Sequence, residues 1–272
     1  MAVLLVPEKW QEIVARVVVF DLEFVGNIAK PKSCLLWEIG AVHLATGRTF
    51  SVIINQDVAN LPPPLPGCFD VTPEFLATNG VSLPKALQQL IRFVGNNTVL
   101  MSHNCFKSDK LVLEGAFDSC QIQYPPWLFI DSLFLLRQQI KLSNYKLSTV
   151  YDHLFHQPIE QMHRALPDAC ALQKVLIAIG PLSRTICLYP FRLTPLQLIR
   201  GIGHACELCF ICRGIRSVEE ILVIIQTEHA CRLICQPTTL EQSVDYFLQQ
   251  CHLPVASYNL IAQELIWRIT NA

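Results

Sequence analysis

The sequence predicts an α/β domain built on a mixed sheet, followed by a smaller all-helical domain. Three observations carry that expectation. β-Branched runs alternate with helical periodicity from residue 17 to about residue 180; the first strands form a hairpin, so the sheet is mixed rather than wholly parallel; and after Gly180-Pro181 only short helical patterns remain.

Taken in order, residues 17–24 (VVVFDLEF) read as a strand, and residues 35–44 and 49–54 as a second and third joined by a turn at Thr46-Gly47-Arg48. A proline-rich loop follows at residues 61–66. Thr72 is placed to cap a helix with Pro73 in its first position, and apolar spacing predicts a further helix over residues 83–94. Residues 97–102 read as a short buried strand, 108–116 as a helix and 127–130 as a strand. Helical patterns then run over 131–140, 145–155 and 167–179, with Asp131 expected as an N-cap. Pro190 and Pro195 punctuate a linker, and helix-start signals stand at Thr194-Pro195, at Ser217 with Glu220, and at Thr238 with Glu241. The expected division is 1–184 and 185–272.

Composition limits the function classes. The 272 residues carry 21 Lys and Arg against 22 Asp and Glu, a formal charge of −1, with 51% hydrophobic and 16% charged residues. A mean hydropathy of +0.35 excludes a disordered chain. No uncharged apolar run approaches the roughly 18 residues that span a bilayer, so no membrane association is expected. The start, MAVLLVPEKWQEIVARV, carries Glu8 and Glu12 and lacks a basic lead or a small-residue cleavage site, so no secretory signal is expected and an intracellular location, cytoplasm or nucleus, is the expectation. The 12 cysteines are scattered without a secretory signal and are expected as reduced, buried thiols. With charge near zero, any binding to nucleic acid must come from a local site.

Such a site is suggested by Asp21 and Glu23, two apart in an apolar strand and therefore on one face. Side by side they repel and are costly to desolvate, unless a divalent cation joins them; oxygen ligands on a rigid strand suit Mg²⁺ or Mn²⁺. Alone, the pair reads as solvated acids at a sheet edge, since D-x-E often occurs by chance. It has company. The strand before residue 103 ends in His103-Asn104 with Asp109 opening the next helix, at the strand ends where open α/β sheets bind ligands. Further on, Pro167 is expected to push Leu166 away from helical angles, leaving His163 in a loop and Asp168 in the first turn of a helix.

These residues resemble the DEDDh family of 3′–5′ exonucleases, the group of the proofreading and three-prime repair exonucleases, with an RNase H-like fold. The resemblance rests on FDLEF at 20–24, His103-Asn104 followed by Asp109, and HRALPDA at 163–169, with WEIGAV at 37–42, TPEFL at 72–76 and FIDSLFLLR at 129–137 around them. It implies an enzyme with two ions, Mg²⁺ or Mn²⁺. In that reading Asp21 bridges both ions, Glu23 and Asp168 complete the nucleophile-side ion, Asp109 supports the other through water, and His163 takes the proton of the attacking water. The implied partner is nucleic acid with a free 3′ end, single-stranded DNA being favoured, and the products are nucleoside 5′-monophosphates. Alternatives are a binding or scaffold protein that keeps the fold without hydrolysis, and an RNA-trimming exoribonuclease.

Phe24 stands where family members often carry Thr or Gly; it either stacks on the terminal base or belongs to the core. Asn104 either positions a substrate sugar or phosphate or caps the following turn. Lys107 and Lys110 flank the site and either steer phosphates or sit solvated.

In the C-terminal part, Arg200-Gly201-Ile202-Gly203 resembles the hairpin of a helix-hairpin-helix module, in which Gly-x-Gly offers backbone N–H groups to a phosphate. Arg200, Gly201 and Gly203 are the candidate contacts there, with Arg213 and Arg216 as further phosphate candidates. The other reading is a helical domain for packing, for docking a protein partner or for self-association. Cys206, Cys209 and Cys212 raise zinc, but in an apolar helical pattern free thiols are the expectation.

Overall fold

The structure is a computed structural model describing residues 3–5, 9–56, 71–181 and 186–271; the proline-rich stretch at 61–66 and the expected junction at 184/185 lie outside the described residues. The chain forms two compact units, Val3–Phe191 and Arg192–Ala272.

The first unit is a mixed seven-stranded sheet in the order β1-β7-β6-β5-β2-β3-β4. Its strands are β1 (Val3–Leu5), β2 (Val17–Val25), β3 (Leu35–His43), β4 (Thr49–Ile53), β5 (Val99–Ser102), β6 (Leu128–Asp131) and β7 (Ile186–Pro190). Strand β2 lies antiparallel to β3 and parallel to β5, but β5 pairs only with Val17, Val18 and Val19. Up to Phe20 the strand is buried on both faces; from Asp21 onward burial alternates, with Leu22 inside and Asp21 and Glu23 partly exposed. The sheet therefore opens beside β2 where its acids begin, at the C-terminal ends of the parallel strands β2 and β5.

The helices of this unit are α1 (Trp10–Val14), α2 (Pro73–Asn79), α3 (Leu83–Val94), α4 (Asp109–Ser119), α5 (Ser132–Gln139), α6 (Leu147–Phe155) and α7 (Ala165–Ile179). Local chemistry accounts for several starts. Thr72 Oγ1 accepts from the Phe75 N–H at 3.1 Å with Pro73 in the first turn, and Asp131 Oδ1 accepts from the Leu133 N–H at 2.9 Å to open α5. Helix α7 begins two residues before the position that Pro167 suggested, and Leu166 is helical. The first four N–H groups of a helix have no intrahelical acceptor, so a proline third in line forfeits no hydrogen bond.

The sheet also extends past the expected boundary. Residues Ile186–Pro190 pair antiparallel with both β1 and β6, and the first unit ends at Phe191, which packs against Phe117, Tyr124, Trp127 and Phe129. A five-residue apolar run buried on both faces shows no alternation, and Pro190 closes the strand where a missing donor matters least.

The second unit holds α8 (His204–Ile211), α9 (Val218–Cys235), α10 (Leu240–Gln250) and α11 (Val255–Thr270). Ser217 caps α9 by accepting from Glu220 N–H at 3.3 Å. The capping box of α10 is Thr239 with Gln242, one residue beyond Thr238 and Glu241. Thr194-Pro195 opens only a 3-10 turn, Leu196–Leu198. Among the described residues no helix is long and apolar enough to cross a membrane.

Candidate active site

Oxygens of Asp21, Glu23 and Asp168 all lie within 4.8 Å of one another, and this is the one group of metal-ligand type among the described residues. Strand β2 delivers the first two. Immediately after Glu23 the pairing slips: Glu23 faces Glu38 but Phe24 faces Leu36, so Trp37 is the extra residue of a bulge that bends the strands at the site.

Asp168 comes from the first turns of α7, and a glycine brings that helix in. A Cβ on Gly40 would lie 2.2 Å from Ala165 C and Leu166 N, so only glycine lets the start of α7 rest on β3. Gly40 is itself the cross-strand partner of Asp21, which sets Asp168 above Asp21. The Asp168 Oδ2 accepts from the His163 N–H at 3.0 Å, whereas Oδ1 is buried without a hydrogen-bond partner. An unpaired buried carboxylate oxygen costs free energy unless a cation or water meets it.

Asp109 stands behind this group. It is buried at the start of α4, accepting from the Leu22 N–H and the Ser102 hydroxyl, each at 3.1 Å. The first bond ties it to the strand that carries Asp21 and Glu23 and the second to β5, and it is absent from the three-carboxylate group.

The electrostatics are those of acids crowded without enough cation. Burial first, then Asp109, Glu23, Asp168 and Glu38, pushes the Asp21 carboxyl well above its usual range. Burial, Asp168, Glu38 and Asp109 push Glu23 up to about 8, against a lowering by Arg164. Burial raises Asp109 to about 7 despite the bonds that favour its ionised form, and it raises Asp168 as well. The donor set is all oxygen and convergent, and Asp168 Oδ1 is left without a protein partner; a divalent Mg²⁺ or Mn²⁺, which favours the ionised carboxylates, fits.

His163 lies in the loop before α7, exposed and with φ of +68°. Its positive charge, when present, lowers Asp168, so the ring is in electrostatic reach of that carboxyl. His103, by contrast, is a structural link: Nε2 donates to the Tyr145 carbonyl at 2.6 Å and Nδ1 accepts from the Ser132 hydroxyl at 3.0 Å. Asp131 does more than cap α5: its other oxygen takes the Phe106 N–H at 3.3 Å.

Phe24 is half-buried at the end of β2 and lies outside the buried core. Asn104 turns the chain by adopting a left-handed conformation, φ +60°, and makes no side-chain capping bond. Lys107 is exposed. Lys110, a candidate for steering phosphates, is 3% exposed and paired with Glu114, so it is part of the core.

In the helical unit the Gly201-Ile202-Gly203 turn does lead into α8. Gly201, at φ +96°, sits 2.9 Å in Cβ terms from Leu260 Cβ, a close packing contact, while Gly203 is open. Arg200 is largely exposed, 3.9 Å from Glu264. Glu207, in the first turn of α8, is buried, bonded to Gln197 and 3.7 Å from His204 Nδ1. That carboxylate occupies the helix end where a phosphate would be drawn. Cys105, Cys187, Cys206 and Cys251 are buried free thiols, but Cys212, Cys231 and Cys235 are exposed, contrary to the expectation of burial.

Glu38 and Arg164 were not among the expected site residues. Glu38 is 1% exposed and takes both nitrogens of the Arg164 fork. The signal was present in part: Glu38, like Asp21 and Glu23, is an acid in an otherwise apolar strand, but without a second acid two positions away.

The Exonuclease family model (RNase_T) matches residues 18–176. Comparison with curated proteins gives no match. Among solved structures, one of exonuclease I, described for how its processivity is achieved, is similar at 16% identity and a TM-score of 0.48, over 58% of this chain and 39% of that one. A moderately thermophilic exonuclease I from Methylocaldum szegediense is similar at 17% identity and a TM-score of 0.46, over 60% of this chain and 39% of that one. The chain thus spans about two fifths of the length of these exonuclease I chains. The family match covers both the strand bearing Asp21 and Glu23 and the helix bearing Asp168, and by it this chain belongs to the Exonuclease (RNase_T) family.

Proposed function

We propose that the protein is a divalent-metal-dependent 3′–5′ exonuclease that removes nucleoside 5′-monophosphates from single-stranded 3′ ends, with DNA as the favoured substrate. The observation that carries this reading is the convergence of Asp21, Glu23 and Asp168 oxygens within 4.8 Å of one another, in a group whose Asp168 also has a buried Oδ1 without a hydrogen-bond partner. Asp21, Glu23 and Asp168 would hold the metal, with Asp109 behind them. When bound, divalent ions offset the carboxylate charge, activate water and stabilise the developing negative charge on a phosphodiester.

The chain's own residues supply the rest. His163, at the open rim and beside Asp168, accepts the proton of the attacking water, a task suited to an imidazole whose ordinary pKa is near 6.5. Asp109 holds β2 in register with α4 through the Leu22 N–H, keeping Asp21 and Glu23 in place. Phe24, half-buried just beyond Glu23, offers a face for an unpaired terminal base, which supports a single-stranded end. The choice of DNA rests on the resemblance to proofreading and repair exonucleases.

The test is digestion of 5′-labelled single-stranded and duplex DNA and RNA with Mg²⁺ or Mn²⁺. A ladder shortening from the 3′ end of single-stranded DNA, abolished by EDTA and in Asp21→Ala and His163→Ala, is the expected result. A ladder on RNA alone would make it an exoribonuclease. No shortening on any substrate by folded protein would leave a binding module on a nuclease fold.

A further inference from the structure

His163 must stand at one place beside Asp168, yet it is exposed and holds a left-handed backbone that non-glycine residues keep only with support. Two anchors flank its peptide. Its own N–H is held by Asp168 Oδ2 at 3.0 Å. The next residue, Arg164, donates Nε to Glu38 Oε2 at 2.9 Å and Nη2 to Glu38 Oε1 at 3.0 Å, and the Ala165 N–H adds a bond to Oε2 at 3.1 Å. Glu38 is buried in the sheet: 1% exposed, within β3, and the cross-strand partner of Glu23.

We propose that Glu38 and Arg164 are a positioning pair that locks the His163 loop against the sheet so that the imidazole faces the Asp168 carboxylate. The proposal rests on the hydrolytic reading above and deepens it. A two-pronged guanidinium–carboxylate contact fixes both the distance and the plane of the arginine, and a single ammonium cannot reproduce it. Through this pair the strand that faces Glu23 also sets the position of the proton acceptor. Neither residue touches substrate; each acts through His163.

The test compares wild type with Arg164→Lys, Arg164→Gln and Glu38→Gln in the full chain, at a temperature where each remains folded by circular dichroism. Three quantities are read: kcat and KM on a 5′-labelled oligonucleotide, Mn²⁺ affinity, and amide hydrogen exchange of residues 157–164. In Arg164→Lys we expect kcat to fall about 10- to 100-fold, the scale of a loss of alignment of order 1 Å. KM and Mn²⁺ affinity should stay within about threefold, since the three metal carboxylates are untouched, and exchange over 157–164 should quicken while the rest of the unit is unchanged. Should Arg164→Gln fail to fold because a buried charge is left unpaired, Arg164→Lys and Glu38→Gln carry the test.

Wild-type kcat with unchanged exchange in Arg164→Lys would overturn the proposal, as would a uniform rise in exchange across the unit with kcat unaffected, the mark of a purely structural pair. If the wild type itself does not hydrolyse any substrate, the hydrolytic reading fails. The exchange measurement then decides the pair alone: faster exchange confined to 157–164 supports it and unchanged exchange overturns it.

Discussion

Asp168 near the start of α7 and Glu207 near the start of α8 are both acids in the first turns of helices, the first read from the sequence as a metal ligand and the second following a turn read as a phosphate contact. Their surroundings differ. Glu207 is bonded to Gln197 and faces His204, so its charge is spent inside the helical unit. Asp168 has one oxygen on the His163 N–H and one buried with no partner, among acids that raise one another's pKa. The lesson is that an acid near a helix start marks a site only where its hydrogen bonds are left incomplete. By that criterion we place the proposed chemistry in the sheet unit; in the Gly201-Ile202-Gly203 turn, Gly201 packs against Leu260 while Gly203 is open.

Neutralising each acid gives the sharpest contrast. Asp168→Asn should lower the hydrolysis rate by about 10³-fold, as for loss of a group that stabilises charge in the transition state. Glu207→Gln should leave the rate within about twofold and instead cost about 1–3 kcal/mol in denaturant unfolding, the penalty for disturbing a buried polar contact. Equal losses of rate in both variants would break the comparison.

Next in size is Gly40→Ala. The added methyl would overlap the backbone of Ala165 and Leu166 at 2.2 Å, so the start of α7 must move away from β3 and carry Asp168 with it. Hydrolysis should fall about 100-fold, with about 1–3 kcal/mol of destabilisation. Retained activity would show that Asp168 does not need this close approach.

A third prediction concerns pH in the metal-free protein. Glu23 titrates at about 8 and Asp109 at about 7 in the folded chain, both above their ordinary values of 4.5 and 3.8. The folded state therefore binds more protons than the unfolded one between those limits, and stability falls as pH rises from about 5 to about 8. Melting scans should show this decline in EDTA, and Mg²⁺ should raise the melting temperature more at pH 8 than at pH 6. A flat EDTA profile over that range would contradict the crowding of acids around Asp21. The smallest effect is expected in the helical unit: Gly201→Ala, at φ +96° and against Leu260, should cost about 1 kcal/mol and leave hydrolysis unchanged.

Much of the sheet unit was legible from residue types alone. The strand around Asp21 and Glu23, the cap at Thr72, the 83–94 helix and the capping role of Asp131 all follow from local patterns that tertiary contacts reinforce. Strand β7 was not, because a short apolar run buried on both faces has no period and its closing proline looks like a linker. Position 166 departs from the expectation because a proline's steric bias against a helical preceding residue is a preference rather than a bar, and here the helix start is fixed by the bond of the Ala165 N–H to Glu38. The pairing of Glu38 with Arg164 spans 126 positions, a separation no local pattern reports.

The central claim, that the open end of β2 holds divalent ions between Asp21, Glu23 and Asp168, is tested most directly by titrating Mn²⁺ into the metal-free protein and following the free ion by electron paramagnetic resonance. Saturable binding to the wild type that is lost or strongly weakened in Asp21→Asn and Asp168→Asn, and unchanged in Glu207→Gln, is the predicted result. Absence of saturable binding to folded wild-type protein, or equal binding in Asp21→Asn, would contradict it.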